Sequence, residues 1–172
     1  IDVEVEVIAD GALSGAGREW DAETKCNPKG LDISFSGASI SDKNIITKPG
    51  VMTIKGTITI QVLYGTLAKS TSPAGWGRGT TKADRTSGDT TVGFHESKHM
   101  EDFLAYLKST PFPSFGGAAG QTEDAYNAIV NSYTLDPYFA DMKTKSRATT
   151  DNPTDADPTL DNYIKKHPNT VH

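Results

Sequence analysis

A single cysteine, Cys26, in 172 residues excludes an internal disulfide framework and a cysteine-rich zinc site. Apolar residues are scarce as well. At 35% of the chain they allow a modest core with much loop. No apolar run approaches the roughly eighteen residues needed to span a bilayer, and the best of them, "ITIQVLYG", has the length of a strand. Basic residues are outnumbered, 17 Lys and Arg against 22 Asp and Glu, for a formal charge of −5. A nucleic-acid partner requires a basic face for its phosphates, so none is expected. No internal repeat is visible. The length suits one domain spanning 1–172. The chain starts at Ile1 rather than Met, which fits a removed leader or a piece of a longer protein. The compartment and the oligomeric state are left open, with export the favoured compartment.

What the chain does have is two kinds of period. From 1 to 68 the pattern is that of strands. "IDVEVEVIAD" alternates apolar and acidic residues, as a strand with one wet face does, and "LDISFSGASI" repeats the alternation. "GVMTIKGTITIQVLYGTLA" is the strongest strand region, with Gly56 expected as a turn or bulge between two short strands and "KPG" as the turn ahead of it. Residues 69–91 hold almost no aliphatic side chain and a lone Trp76, and read as a long polar loop of the kind that is usually functional or disordered. From Thr91 the period becomes helical, with Phe94, Met100, Phe103, Leu104 and Leu107 on one side, until Pro111 and Pro113 forbid continuation. A second helix is expected from about Thr122 to Tyr133, with Thr122 as its N-cap. Residues 134–172 are polar and rich in Pro and Asp, and read as a surface-wrapping tail with one short helix near 160–166. The fold class is therefore α+β: a sheet-rich first half, two helices over 91–133, and an irregular tail.

The first helix carries "HESKH". His95 and His99 are four residues apart, so they lie on one helix face about a turn apart and can offer two imidazole nitrogens to a single ion. Glu96 projects beside them and suits the role of general base toward a water activated by the metal, the chemistry of metal-assisted hydrolysis. The bland reading is a surface helix with two exposed histidines; the helical context and the apolar side of the segment favour the motif.

Zinc then needs a third protein ligand. Asp102 follows too closely on the same helix and reads as an acid behind the ligands or on the surface. His167 and the terminal His172 fall in the tail. Glu123 and Asp124 begin the second helix. Glu123 shares the side of Tyr126 and Val130, whereas Asp124 aligns with Asn127 and Asn131, so Glu123 is preferred and Asp124 is the alternative. An oxyanion donor is also required, with Tyr126 and Tyr133 the first candidates and Arg78 and Arg147 behind them.

"HESKH" on a helix, with Glu123 of "TEDAYNAIVNSY" downstream, resembles the zincin metallopeptidases, and within them the gluzincin branch. The resemblance covers residues 91–133. It implies His95, His99 and Glu123 as Zn2+ ligands, Glu96 as general base, and a peptide or protein as substrate. The aspzincin branch is the runner-up and would make Asp124 the ligand. Zincins bind substrate as an added strand on a sheet edge, here expected from residues 58–65, with 69–91 and 109–120 as cleft walls. The competing class is a non-catalytic β-rich binding or adhesion module, or an inactive effector fragment, whose metal is structural and closed by a fourth side chain.

Overall fold

The computed structural model describes residues 1–168; His172 lies outside them. Six strands precede five helices, β1 (Asp2–Val7), β2 (Gly11–Ala12), β3 (Ala22–Ser36), β4 (Ser39–Ile40), β5 (Ile46–Lys48), β6 (Val51–Tyr64), then α1 (Lys82–Ser87), α2 (Val92–Ser109), α3 (Glu123–Ser132), α4 (Asp136–Ser146) and α5 (Leu160–Lys166), with a π-helical turn over Arg147–Asp151. The α+β class follows. Among the described residues no helix is long and apolar enough to cross a membrane. The chain packs as two compact units, each assembled from three separated stretches.

The first unit comprises Ile1–Glu6, Pro28–Ile58 and Phe112–Phe139. Its core holds Ile46, Ile54, Ile58 and Tyr126, and the rings of Phe35, Phe115, Tyr126 and Tyr133 pack tilted or edge-on. Thr122 caps α3 by accepting from the Ala125 N–H, as the sequence leads one to expect. Gly56 does not divide two short strands: β6 runs unbroken for 14 residues. The glycine adopts φ 127° within the strand, and a Cβ there would strike the Gly30 carbonyl of β3. Gly30 in turn crowds the Thr57 carbonyl, so the two bare residues permit the close approach. The apolar side of β1 is not taken into a core, since Val5 and Val7 are 39% and 50% exposed.

The second unit comprises Val7–Asn27, Thr59–Pro111 and the described residues from Ala140 onward. It buries Leu13, Cys26, Ile60, Val62, Phe103 and Met142. β6 is the spine of the four-stranded sheet, paired with β1, β2 and β3; β2 lies parallel to it in the register Gly11↔Leu63. Residues 58–65 are thus an interior strand and offer no free edge, contrary to the expectation for substrate binding. The polar segment 69–91 is ordered rather than a bare loop. Pro73 bridges to Thr91, and α1 starts at a cap where Thr81 accepts from the Asp84 N–H. α2 starts where Thr91 accepts from the Phe94 N–H. The last stretch is no surface wrapping: Met142, Ser146 and Thr150 are among the most buried side chains, each 1% exposed.

Candidate metal centre

α2 buries two ionisable side chains as fully as its aromatic ones, Phe103 and Tyr106. His95 and Glu96 are 6% and 5% exposed, while Leu104, expected on the inner side, is an exposed residue. Phe94 is turned toward cations instead, with the Arg78 guanidinium 5.3 Å and the Lys98 ammonium 5.0 Å from its ring. A helix that spends its buried face on ionisable groups must satisfy them, and each of them is satisfied.

Both imidazoles use Nδ1 as a donor. His95 Nδ1 lies 2.9 Å from the Arg78 carbonyl, which can only accept. His99 Nδ1 lies 2.8 Å from the Ser146 hydroxyl, whose own proton goes to Asp102 Oδ2 at 3.0 Å. The two Nε2 atoms then face one acceptor, Asp151 Oδ1, at 3.1 Å from His95 and 3.0 Å from His99. With both Nδ1 atoms protonated, each Nε2 must either carry a second proton or aim a lone pair at the same carboxylate. Either state concentrates negative charge and nitrogen donors at one point, an arrangement that could hold a cation.

Protonation energetics agree. Burial disfavours the charged form of His95, but the bond to Asp151, the nearby Glu96 charge and the Arg78 carbonyl outweigh it and hold its pKa above the ordinary imidazole value. For Asp151, burial opposes ionisation, yet the bonds from His95 and His99 win and keep its carboxyl well below the usual carboxylate range.

The donor atoms of His95, His99 and Asp151 all lie within 4.8 Å of one another. Ligands of a tetrahedral zinc with bonds of 2.0–2.1 Å stand about 3.3 Å apart, close to the two Nε2–Oδ1 separations of 3.1 and 3.0 Å. This largely buried group could hold a metal; two nitrogens and a carboxylate suit zinc and other first-row divalent ions.

The third member of this group is Asp151, where the sequence pointed to Glu123 with Asp124 as alternative. Those two acids open α3 in the first unit. Their facing is as expected, Glu123 half-buried and Asp124 exposed, but the Glu123 backbone N–H is occupied in capping against Asn44 and neither belongs to the group. Tyr126 and Tyr133 also belong to the first unit; the Tyr126 hydroxyl accepts from Gly50 N–H at 2.7 Å and the Tyr133 hydroxyl donates to the Pro113 carbonyl at 2.7 Å. Arg78 is bound to Asp84 through Nε and Nη2, and Arg147 to Asp161. His167 is exposed, with Nδ1 on the Tyr163 carbonyl.

Two elements deliver Asp151 to the histidines. The π-turn Arg147–Asp151 ends on it. π-helical turns re-aim side chains by adding a residue to the helical repeat, and they concentrate at functional sites. The segment 69–91 braces the turn: Arg78 N–H donates to the Thr150 carbonyl at 2.7 Å while its own carbonyl receives His95. Gly77 sits at φ 61°, and a Cβ there would strike the Thr150 carbonyl. Asp84 anchors the segment, its carboxyl held far below the usual range first by the Arg78 bonds, against burial, and then by Gly79 N–H.

Glu96 is held from the sheet. Thr24 of β3 places its hydroxyl 2.7 Å from Glu96 Oε2 and 2.9 Å from the Glu96 carbonyl. With His95, Glu96 lines a cavity of about 330 Å³ walled by Trp20, Ala22, Pro73, Trp76, Val92 and Tyr163. Trp76 stands edge-on to His95, ring centroids 6.3 Å apart, and 5.0 Å from the Tyr163 ring. The lone tryptophan of the polar segment was the available sequence signal for this wall. Thr24, Ser146 and Asp151 had none. Comparison with protein-family models, curated proteins and solved structures finds no match.

Proposed function

We propose that the protein is a zinc-dependent peptidase in which His95, His99 and Asp151 hold the metal and Glu96 is the general base. The observation that carries this reading is the convergence of two imidazole Nε2 atoms on one carboxylate oxygen, beside a buried glutamate that opens on a cavity. Zinc with three protein ligands keeps a fourth position for water or substrate, and supplies Lewis acidity there. Glu96 takes a proton from the nucleophile and returns it to the leaving amine. Thr24 holds Oε2, so the other carboxylate oxygen is the one that carries the proton. Trp76, Pro73 and Tyr163 exclude water and favour a peptide with an apolar side chain beside the scissile bond. A His-His-Asp set has the composition of the aspzincin branch of the zincins, here with the aspartate 52 residues after His99.

The test is metal analysis of untagged wild type and Glu96→Gln protein, alongside hydrolysis of a denatured protein substrate. About one zinc per chain is expected in both, with hydrolysis falling 10²-fold or more, on the order of a lost general base, in the variant. Zinc without hydrolysis in wild type overturns the peptidase reading and favours a binding module with a structural ion. Failure of wild type to take up zinc overturns the metal centre itself.

A further inference from the structure

Asp102 stands one turn beyond His99 on α2, and one of its oxygens gathers three hydroxyls from a different element. Oδ2 accepts from Ser146 at 3.0 Å, Thr149 at 2.6 Å and Thr150 at 3.0 Å. All three donors belong to the π-turn or to the residue that opens it. Ser146 makes no capping bond to the turn; its hydroxyl is committed between Asp102 and His99. Among the described residues the charge of Asp102 is met by hydroxyls and by no ion pair.

We propose that Asp102 is a positioning residue for the metal centre: its carboxylate clamps the Arg147–Asp151 turn onto the helix that bears the histidines, and through Ser146 it orients and polarises His99. The inference rests on the metal reading of the site. The clamp fixes where Asp151 arrives, because Thr150 is its immediate neighbour and Thr149 lies one residue before. The relay fixes the His99 tautomer, because a serine whose proton is drawn to a carboxylate offers Nδ1–H a lone pair and leaves Nε2 free to bind. A shortened side chain at 102 loses both functions and a neutral one of the same shape weakens both, whereas loss of the Ser146 hydroxyl removes the second and only one of the three clamp bonds.

The full chain is titrated with Zn2+ alone against a chromogenic chelator, and the Co2+ form is read by visible absorption. Asp102→Ala is expected to weaken Zn2+ binding about 10- to 100-fold, Ser146→Ala about tenfold, and Asp102→Asn by an intermediate factor, since an amide oxygen still accepts but carries no charge. The Co2+ bands of Asp102→Ala shift, because the ligand geometry changes. Wild-type affinity and an unchanged Co2+ spectrum in these variants overturn the proposal and leave the metal centre standing. A lower melting temperature of the metal-free variants with unchanged Kd marks a purely structural role and overturns it too. Should Asp102→Ala not fold, Ser146→Ala and Asp102→Asn decide it by the same criteria. Wild type that binds no Zn2+ removes the metal reading along with the proposal.

Discussion

Replacing one side chain at a time separates the duties of the residues around α2. Asp151→Ala removes a ligand, and its loss is expected to abolish stoichiometric zinc binding, whereas Glu123→Ala leaves it intact; zinc content after gel filtration measures both. Thr24→Val keeps the shape of β3 but removes the hydroxyl that holds Glu96. Zinc content should stay at the wild-type level while kcat falls roughly tenfold, the scale of a misdirected base rather than a missing one. The residue scale also shows what the sequence discloses. His95 and His99 were legible as a pair because four-residue spacing on a helix dictates their common face. Asp151 was not, because it lies in "TTDNPTDADP", where several aspartates compete without any period to rank them. Its delivery depends on a π-turn, and no residue pattern announces one.

At the scale of elements, caps and breakers were the dependable signals. Thr91 and Thr122 start α2 and α3 as side-chain caps, and Pro111 and Pro113 follow the end of α2. The helix α5 over Leu160–Lys166 falls where it was expected. α4 was concealed by Pro137, which reads as a breaker but stands in the first turn, where its missing N–H costs nothing. The inward spacing of Tyr138, Phe139 and Met142 was there to find. α1 was hidden by its polarity, since the buried Asp84, paired with a part-exposed Arg78, anchors it rather than apolar residues. One prediction belongs here. Gly77→Ala places a Cβ at a left-handed backbone position against the Thr150 carbonyl. It should destabilise the fold by about 2 kcal/mol or more in urea titration, and weaken zinc binding through the displaced π-turn.

For the molecule as a whole, the proposed metal centre makes zinc and the proton competitors for one site. Zinc that binds only the folded chain adds about 4 kcal/mol at a thousandfold excess over Kd, so chelation should lower Tm by on the order of 10 °C. The drop should be larger at pH 8 than at pH 5.5. Zinc must displace Nε2 protons, and His95 keeps its proton above the usual imidazole range. The chelated protein follows the reverse trend. A histidine whose folded pKa is raised contributes stability in full below about 6.5, its unfolded value, and loses it as pH rises through the folded one. Differential scanning calorimetry at the two pH values, with and without chelator, reads both slopes.

The solitary thiol supplies a clock for these measurements. Cys26 is buried two residues beyond Thr24 on β3, and burial, partly offset by the Lys143 charge, lifts its pKa to about 11. A closed strand therefore presents no thiolate near neutral pH, and a coloured thiol reagent can react only during excursions that open it. Since the same strand grips Glu96 through Thr24, the labelling rate counts how often that grip is released, with no label or mutation introduced beforehand.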